Sequence, residues 1–147
     1  MAPGDPPAGR PPADTELDPG LAERLHRRVL VVDDNTLNRR VAVRMLECCG
    51  FAPDTACNGT EAVEALEREP YDIVFMDIQM PEMDGLEATR QIRRRLPPSR
   101  QPHIAGITSG ASGAQREDCV RAGMDDLMNK PLRAGDLVRT IERSRRR

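Results

Sequence analysis

At 147 residues, the chain is long enough for one domain with a proper core and too short for two ordinary ones. Its 22 Lys and Arg residues against 24 Asp and Glu leave a formal net charge of −2, so bulk electrostatics point to neither nucleic acid nor an anionic membrane surface as the main partner. One Tyr, two Phe and no Trp argue against base stacking and require a core of Val, Leu, Ile, Met and Ala.

No apolar run approaches the roughly 20 residues that cross a bilayer, and no signal-peptide pattern opens the chain. A soluble, cytoplasmic protein without membrane contact is expected. Cys48, Cys49, Cys57 and Cys119 show neither metal-site spacing nor a disulfide framework, and read as reduced, small and mostly buried. The closing Arg143, Arg145, Arg146 and Arg147 read as a solvated helix end.

The chain begins with Pro3, Pro6, Pro7, Pro11, Pro12 and Pro19 and almost nothing apolar to bury, so residues 1–25 read as a disordered proline-rich leader or linker. A single domain is expected over 26–147. From Val29 onward, short continuous apolar runs alternate with helical patterns, as parallel strands covered on both faces require. The runs are residues 29–32, a weaker 51–56, 73–76, 104–107 and 127–128.

Between the first two, Leu37, Val41, Met45 and Cys48 or Cys49 share one helical stripe, and Gly50 is a natural stop. In the second helix Ala62, Ala65 and Leu66 share a face, with Asn58 as its cap. Leu86, Thr89, Ile92 and Leu96 line the third, where Arg93 falls within the stripe and only its aliphatic stem is expected to lie against the core. Pro97 and Pro98 end that helix. Poor helix formers at residues 109–113 predict that the fourth helix starts late or frays. Leu137, Val138 and Ile141 predict a short final helix with Gly135 and Asp136 at its entrance. Strict alternation implies right-handed crossovers and an open, doubly wound parallel five-stranded sheet.

In such sheets function gathers outside the carboxyl ends of the strands, at the switch point of strand order. Asp33 and Asp34 follow the first strand, Asp77 the third, Thr108 ends the fourth and Lys130 ends the fifth. If strands one and three are neighbours, the three carboxylates converge. Crowded like charges cost stability unless a cation neutralises them, and oxygen ligands with room for water suit Mg2+. Lys130 is the chain's one lysine, a point charge suited to a phosphoryl oxygen. One carboxylate then attacks a phosphoryl group in line, while Thr108 and Lys130 hold its oxygens. Asp125 and Asp126 read as turn residues, Glu82 and Asp84 as loop-shaping residues. Neither His26 nor His103 reads as a phosphate carrier.

The segments Val29-Leu-Val-Val-Asp-Asp-Asn35, Asn58-Gly-Thr-Glu-Ala-Val63, Tyr71-Asp-Ile-Val-Phe-Met-Asp-Ile-Gln-Met-Pro-Glu-Met-Asp-Gly85, Ile107-Thr108 and Ala122-Gly-Met-Asp-Asp126, leading to Lys130-Pro131, carry a resemblance. The chain resembles the receiver domains of two-component response regulators and, most closely, of hybrid histidine kinases. The resemblance implies the flavodoxin-like strand order 2-1-3-4-5. It implies that Asp77 accepts phosphate from a kinase phosphohistidine, that Asp34 and Asp77 bind magnesium directly and Asp33 through water, and that the backbone carbonyl of Gln79 completes the protein ligands. It also implies a cis Lys130–Pro131 bond. The implied partner is a histidine kinase or a histidine phosphotransfer protein, for a signalling receiver that promotes its own phosphorylation and dephosphorylation.

The sequence departs from the family at Leu127, where a tyrosine or phenylalanine usually reports phosphorylation, and in the Gly/Ser run after Thr108. A haloacid-dehalogenase-like phosphatase uses similar groups but needs Asp-x-Asp after its first strand, a spacing that Asp33-Asp34-Asn35 lacks. A receiver-shaped binding module with little phosphate turnover is the other alternative. Too few residues follow Lys130 to hold a DNA-binding output domain, so output is expected through a partner or a larger polypeptide.

Overall fold

The computed structural model describes residues 19–110 and 112–144. The strands are β1 Val29–Val32, β2 Asp54–Ala56, β3 Ile73–Asp77, β4 His103–Thr108 and β5 Asp126–Asn129. All pairings are parallel and the order is β2-β1-β3-β4-β5, as expected. Five helices alternate with them: α1 Thr36–Cys48, α2 Gly59–Arg68, α3 Gly85–Arg95, α4 Gly113–Ala122 and α5 Ala134–Arg143. Pro98–Arg100 adds a 3-10 turn after Pro97.

Alternation along the strands divides the core into two layers. Val29, Val31, Ile73, Phe75, Ala105 and Ile107 face α1 and α5, meeting Leu46, Leu137 and Ile141. Leu30, Val32, Val74, Met76 and Ile104 face α2, α3 and α4, meeting Leu66 and Ile92. Burial on both faces explains why the strands read as unbroken apolar runs.

Caps set the helix starts. Asn58 Oδ1 accepts from the Glu61 N–H at 2.8 Å, and Glu61 Oε1 accepts from the Cys57 N–H at 2.9 Å, closing a reciprocal box. The Asn35 and Asp84 side chains accept from the Asn38 and Glu87 N–H groups and so cap α1 and α3. Ser112 caps α4, so that helix starts only at Gly113, the last residue of the Gly/Ser run, late as its composition predicts.

Five expectations are corrected. Residues 1–18 of the proline-rich leader lie outside the described residues, as do Arg145 to Arg147. Residues 19–25, however, belong to the folded unit, which therefore begins ahead of the expected boundary at 26. The helical turn Leu21–Arg24 buries Leu21 completely, and the Ala22 N–H donates to the Cys49 carbonyl at 3.0 Å. On α1 only the first half of the predicted stripe faces outward: Leu37 is 69% and Val41 42% exposed, whereas Met45 packs against the core and Cys49 is buried, together with Ala42 and Leu46. Only Cys49 and Cys119 of the four free cysteines are buried; Cys48 and Cys57 are exposed.

The fourth correction is Arg93, which contributes far more than an aliphatic stem. Its Nε and Nη2 donate to the Gly123 carbonyl at 2.9 and 2.6 Å, and its Nη1 to Gln101 Oε1 and the Pro102 carbonyl, each at 2.8 Å. Nη2 also reaches Asp125 Oδ2 at 2.8 Å. Asp125 and Asp126 are likewise more than turn residues. Asp125 accepts from the Ile104 N–H, and Asp126 begins β5 and accepts from Arg143. His103 begins β4 with Nε2 2.5 Å from Asp126 Oδ2, and His26 lies outside the helices.

Candidate functional site

Because β1 and β3 are neighbours, their carboxyl ends bring the three predicted carboxylates together. One oxygen each from Asp33, Asp34 and Asp77 lies within 4.8 Å of the others. Asp33 and Asp77 are buried and Asp34 is exposed, so the cluster opens to solvent on one side only.

Local geometry holds each group. Asp33 Oδ1 accepts from the Asn35 N–H at 2.8 Å, which fixes the strand-to-helix corner, and Arg39 Nη1 donates to the Asp33 carbonyl at 2.8 Å. Lys130 Nζ lies 3.2 Å from Asp77 Oδ1, and the Gln79 N–H donates to the same oxygen at 3.3 Å. The Gln79 side chain is exposed. The Lys130–Pro131 peptide is cis, as expected. The Lys130 N–H donates to the Thr108 carbonyl at 2.7 Å, so the ends of β4 and β5 are tied. Thr108 is buried, follows the residue paired with Asp77 across β3 and β4, and accepts at Oγ1 from the Gly110 N–H at 3.3 Å. Glu82, with φ of +67°, and the cap Asp84 shape the β3–α3 loop, as expected.

Burial and the neighbouring Asp33 charge push the Asp77 pKa up from 3.8 to about 6, against the opposing pull of the Lys130 ammonium and the Gln79 N–H. Metal-free Asp77 therefore carries an unfavourable charge. An all-oxygen cluster of this kind suits a hard divalent cation, so the donor set fits Mg2+.

Gly85 explains how α3 reaches the site. A Cβ there would run into the Asp77 carbonyl oxygen and sit 2.9 Å from Ile78 Cα, and the Gly85 N–H donates to the Ile78 carbonyl at 2.9 Å. Leu127 is half-buried beside Gly106, whose missing side chain leaves room for it and for Met124.

The sequence reading did not find the solvent-facing side of α1 beside this pocket. A cleft of about 350 Å³ runs from Asp33 and Lys130 along Val41, Ala42, Pro131 and Leu132. Exposed Leu37, Arg40, Val41, Arg44 and Cys48 continue the same helix face outward. The available signal was the competing stripe Ala42, Leu46 and Cys49, at spacings of four and three.

The response regulator receiver domain model matches residues 29–142, most of the chain. This chain belongs to that family. It is 38% identical over 123 residues to hybrid signal transduction histidine kinase K of Dictyostelium discoideum, a match covering 78% of this chain and 10% of that protein. Across three such hybrid kinases of that organism the matched stretch spans 4 to 10% of their length.

Among solved structures, the receiver domain of sensor histidine kinase PA1611 from Pseudomonas aeruginosa, which has a magnesium ion coordinated in its active site cleft, shares 36% identity. Its TM-score is 0.72, with 80% of this chain and 95% of that one covered. The receiver domain of Ssk1 from Saccharomyces cerevisiae, crystallised with the histidine phosphotransfer protein Ypd1, gives 27% identity and a TM-score of 0.71, covering 78% and 85%. The chain is thus a phosphorelay receiver module, a signalling role, with no helix among the described residues long and apolar enough to cross a membrane.

Proposed function

We propose that Asp77 is the phosphoacceptor of this receiver, taking its phosphoryl group from the phosphohistidine of a histidine kinase or histidine phosphotransfer protein. The observation that carries this reading is a buried carboxylate at the switch point with an ammonium 3.2 Å away and two further carboxylates beside it. In this reading Asp34, Asp77 and the Gln79 carbonyl hold Mg2+ directly and Asp33 holds it through water. Bound there, the metal neutralises the clustered carboxylates and screens the incoming phosphoryl oxygens.

The remaining chemistry belongs to the chain's own residues. An Asp77 carboxylate oxygen forms the new P–O bond as the donor N–P bond breaks, and the departing imidazole keeps the bonding electron pair. Lys130 pairs with one phosphoryl oxygen and the Thr108 hydroxyl donates to another. Hydrolysis of the acyl phosphate returns Asp77, so the module promotes its own phosphorylation and dephosphorylation.

The outward face of α1 supports the choice of partner. Leu37 and Val41 offer apolar contact next to the pocket, and Arg40 and Arg44 rim them with positive charge, which suits a helix bearing acidic residues around its phosphohistidine. The presence of Mg2+ in one relative and of a histidine phosphotransfer protein in another fits the same reading. The missing Asp-x-Asp spacing sets the phosphatase alternative aside.

Incubation with Mg2+ and acetyl phosphate, followed by intact mass measurement, tests the assignment. The parent acquires one phosphoryl adduct and Asp77→Asn does not. Equal adduct yields in both would reject Asp77 as acceptor.

A further inference from the structure

Gly59 opens α2 in ordinary helical backbone, so no backbone angle demands a glycine there. Space does. A Cβ at Gly59 would lie 2.6 Å from the Met83 carbonyl oxygen, 2.9 Å from Met83 Cγ and 3.1 Å from Met83 Cβ. The first turn of α2 thus rests directly on Met83, which belongs to the β3–α3 loop that leaves Asp77.

Neither side of this contact yields freely. On the helix side, the reciprocal box of Asn58 and Glu61 fixes the first turn, and Ala62, Val63, Ala65 and Leu66 seat α2 in the core. On the loop side, residues 78–85 form a short closed ring. The Ile78 N–H donates to the Ile107 carbonyl at 3.0 Å, and the Gly85 N–H donates to the Ile78 carbonyl, which ties both ends of the ring. Ile78 and Met80 are buried, and Gln79 lies between them with its N–H on Asp77 Oδ1. Pro81 has a fixed φ, and Glu82 is held at φ of +67°, a region that residues other than glycine seldom adopt. The ring has little slack, so a push on Met83 passes back to the Gln79 peptide.

We infer that Gly59 is a positioning residue for the metal site: by letting α2 bear directly on Met83, it sets the depth of the β3–α3 loop and with it the place of the Gln79 carbonyl. Gly59 acts through Met83 and the loop. A methyl group at this position lifts the loop and draws the carbonyl away from the near-octahedral geometry that Mg2+ demands, while the carboxylates of β1 and β3 stay where their strands hold them. The inference rests on the reading of the Gln79 carbonyl as a metal ligand beside Asp34 and Asp77.

Amide NMR titration of the full chain with Mg2+, alongside urea unfolding, tests it. Gly59→Ala should weaken Mg2+ binding at least about tenfold, as the loss of a group that orients a ligand does. Asn58→Ala loosens the same helix end without entering the loop, and should lower stability while keeping Mg2+ affinity within about twofold of the parent. A purely structural glycine would lower the unfolding midpoint and leave the affinity unmoved. Met83→Ala empties the same seat from the loop side and leaves α2 intact; it should weaken Mg2+ binding at least about threefold, and it decides the matter if Gly59→Ala does not fold. With Mg2+ saturating, acetyl phosphate labelling of Gly59→Ala should return to the extent seen in the parent, because the acceptor is untouched. Parent-like affinity in Gly59→Ala or in Met83→Ala, an equal loss in Asn58→Ala, or labelling that stays low at saturating Mg2+ would overturn the positioning role. A parent that binds no Mg2+ would reject the metal-site reading itself, and this inference with it.

Discussion

Replacing Asp77 with asparagine should stabilise the metal-free protein, and by an amount that depends on pH. Asp77 is almost fully buried beside Asp33, and its pKa rises from 3.8 to about 6 on folding. A carboxyl with a higher pKa in the fold binds its proton more tightly when folded. Its stabilising contribution is therefore complete below about pH 4 and is lost as pH rises through about 6. A rise of about two units at 1.36 kcal/mol each corresponds to about 3 kcal/mol. Asp77→Asn keeps the shape and removes the titration, so its stability advantage over the parent should widen by about 3 kcal/mol between pH 4 and pH 8. Urea unfolding of both proteins in chelator at several pH values measures this difference, in which most other titrating groups cancel. Saturating Mg2+ should stabilise the parent at pH 8 and do much less for the variant. A gap that stays constant across this range would refute the reasoning that burial of the Asp77 charge, with Asp33 beside it, is a cost of the metal-free fold.

Removing the lysine partner should push the same transition further: Lys130→Met takes away the main group holding the Asp77 pKa down, so the metal-free loss of stability should move to higher pH and acetyl phosphate labelling should collapse. Gly85→Ala sets a side chain against the backbone of Asp77 and Ile78 and should cost more than about 2 kcal/mol in chemical unfolding. Gly106→Ala, which meets mainly the flexible end of Met124, should cost clearly less. Asn58→Ala should lose about 1 kcal/mol through the α2 cap. Leu37→Asp with Val41→Asp should leave labelling by acetyl phosphate unchanged while slowing transfer from a phosphorylated histidine phosphotransfer protein at least about tenfold, measured by radiolabel transfer.

The residues themselves carried the strand pattern and the placement of Asp33, Asp34, Asp77, Thr108 and Lys130 at strand ends. A sheet buried on both faces needs continuous apolar runs, and a strand's end is marked by the first polar residue after its run. Asn58 and the late start of α4 were legible for the same reason, because caps and poor helix formers act locally.

Tertiary packing decided what local pattern left open. In the first half of α1, Leu37 and Val41 are larger and more apolar than Ala42, so composition favours the outward side, and only the docking of α1 on the sheet turns Ala42, Leu46 and Cys49 into the core. The Arg93 fork joins groups 8 to 32 residues away along the chain, and no local spacing announces which carbonyls will be within its reach. The raised proton affinity of Asp77 has the same origin. It depends on β3 lying beside β1 and on the burial that results, which are properties of the folded sheet and of no single stretch of sequence.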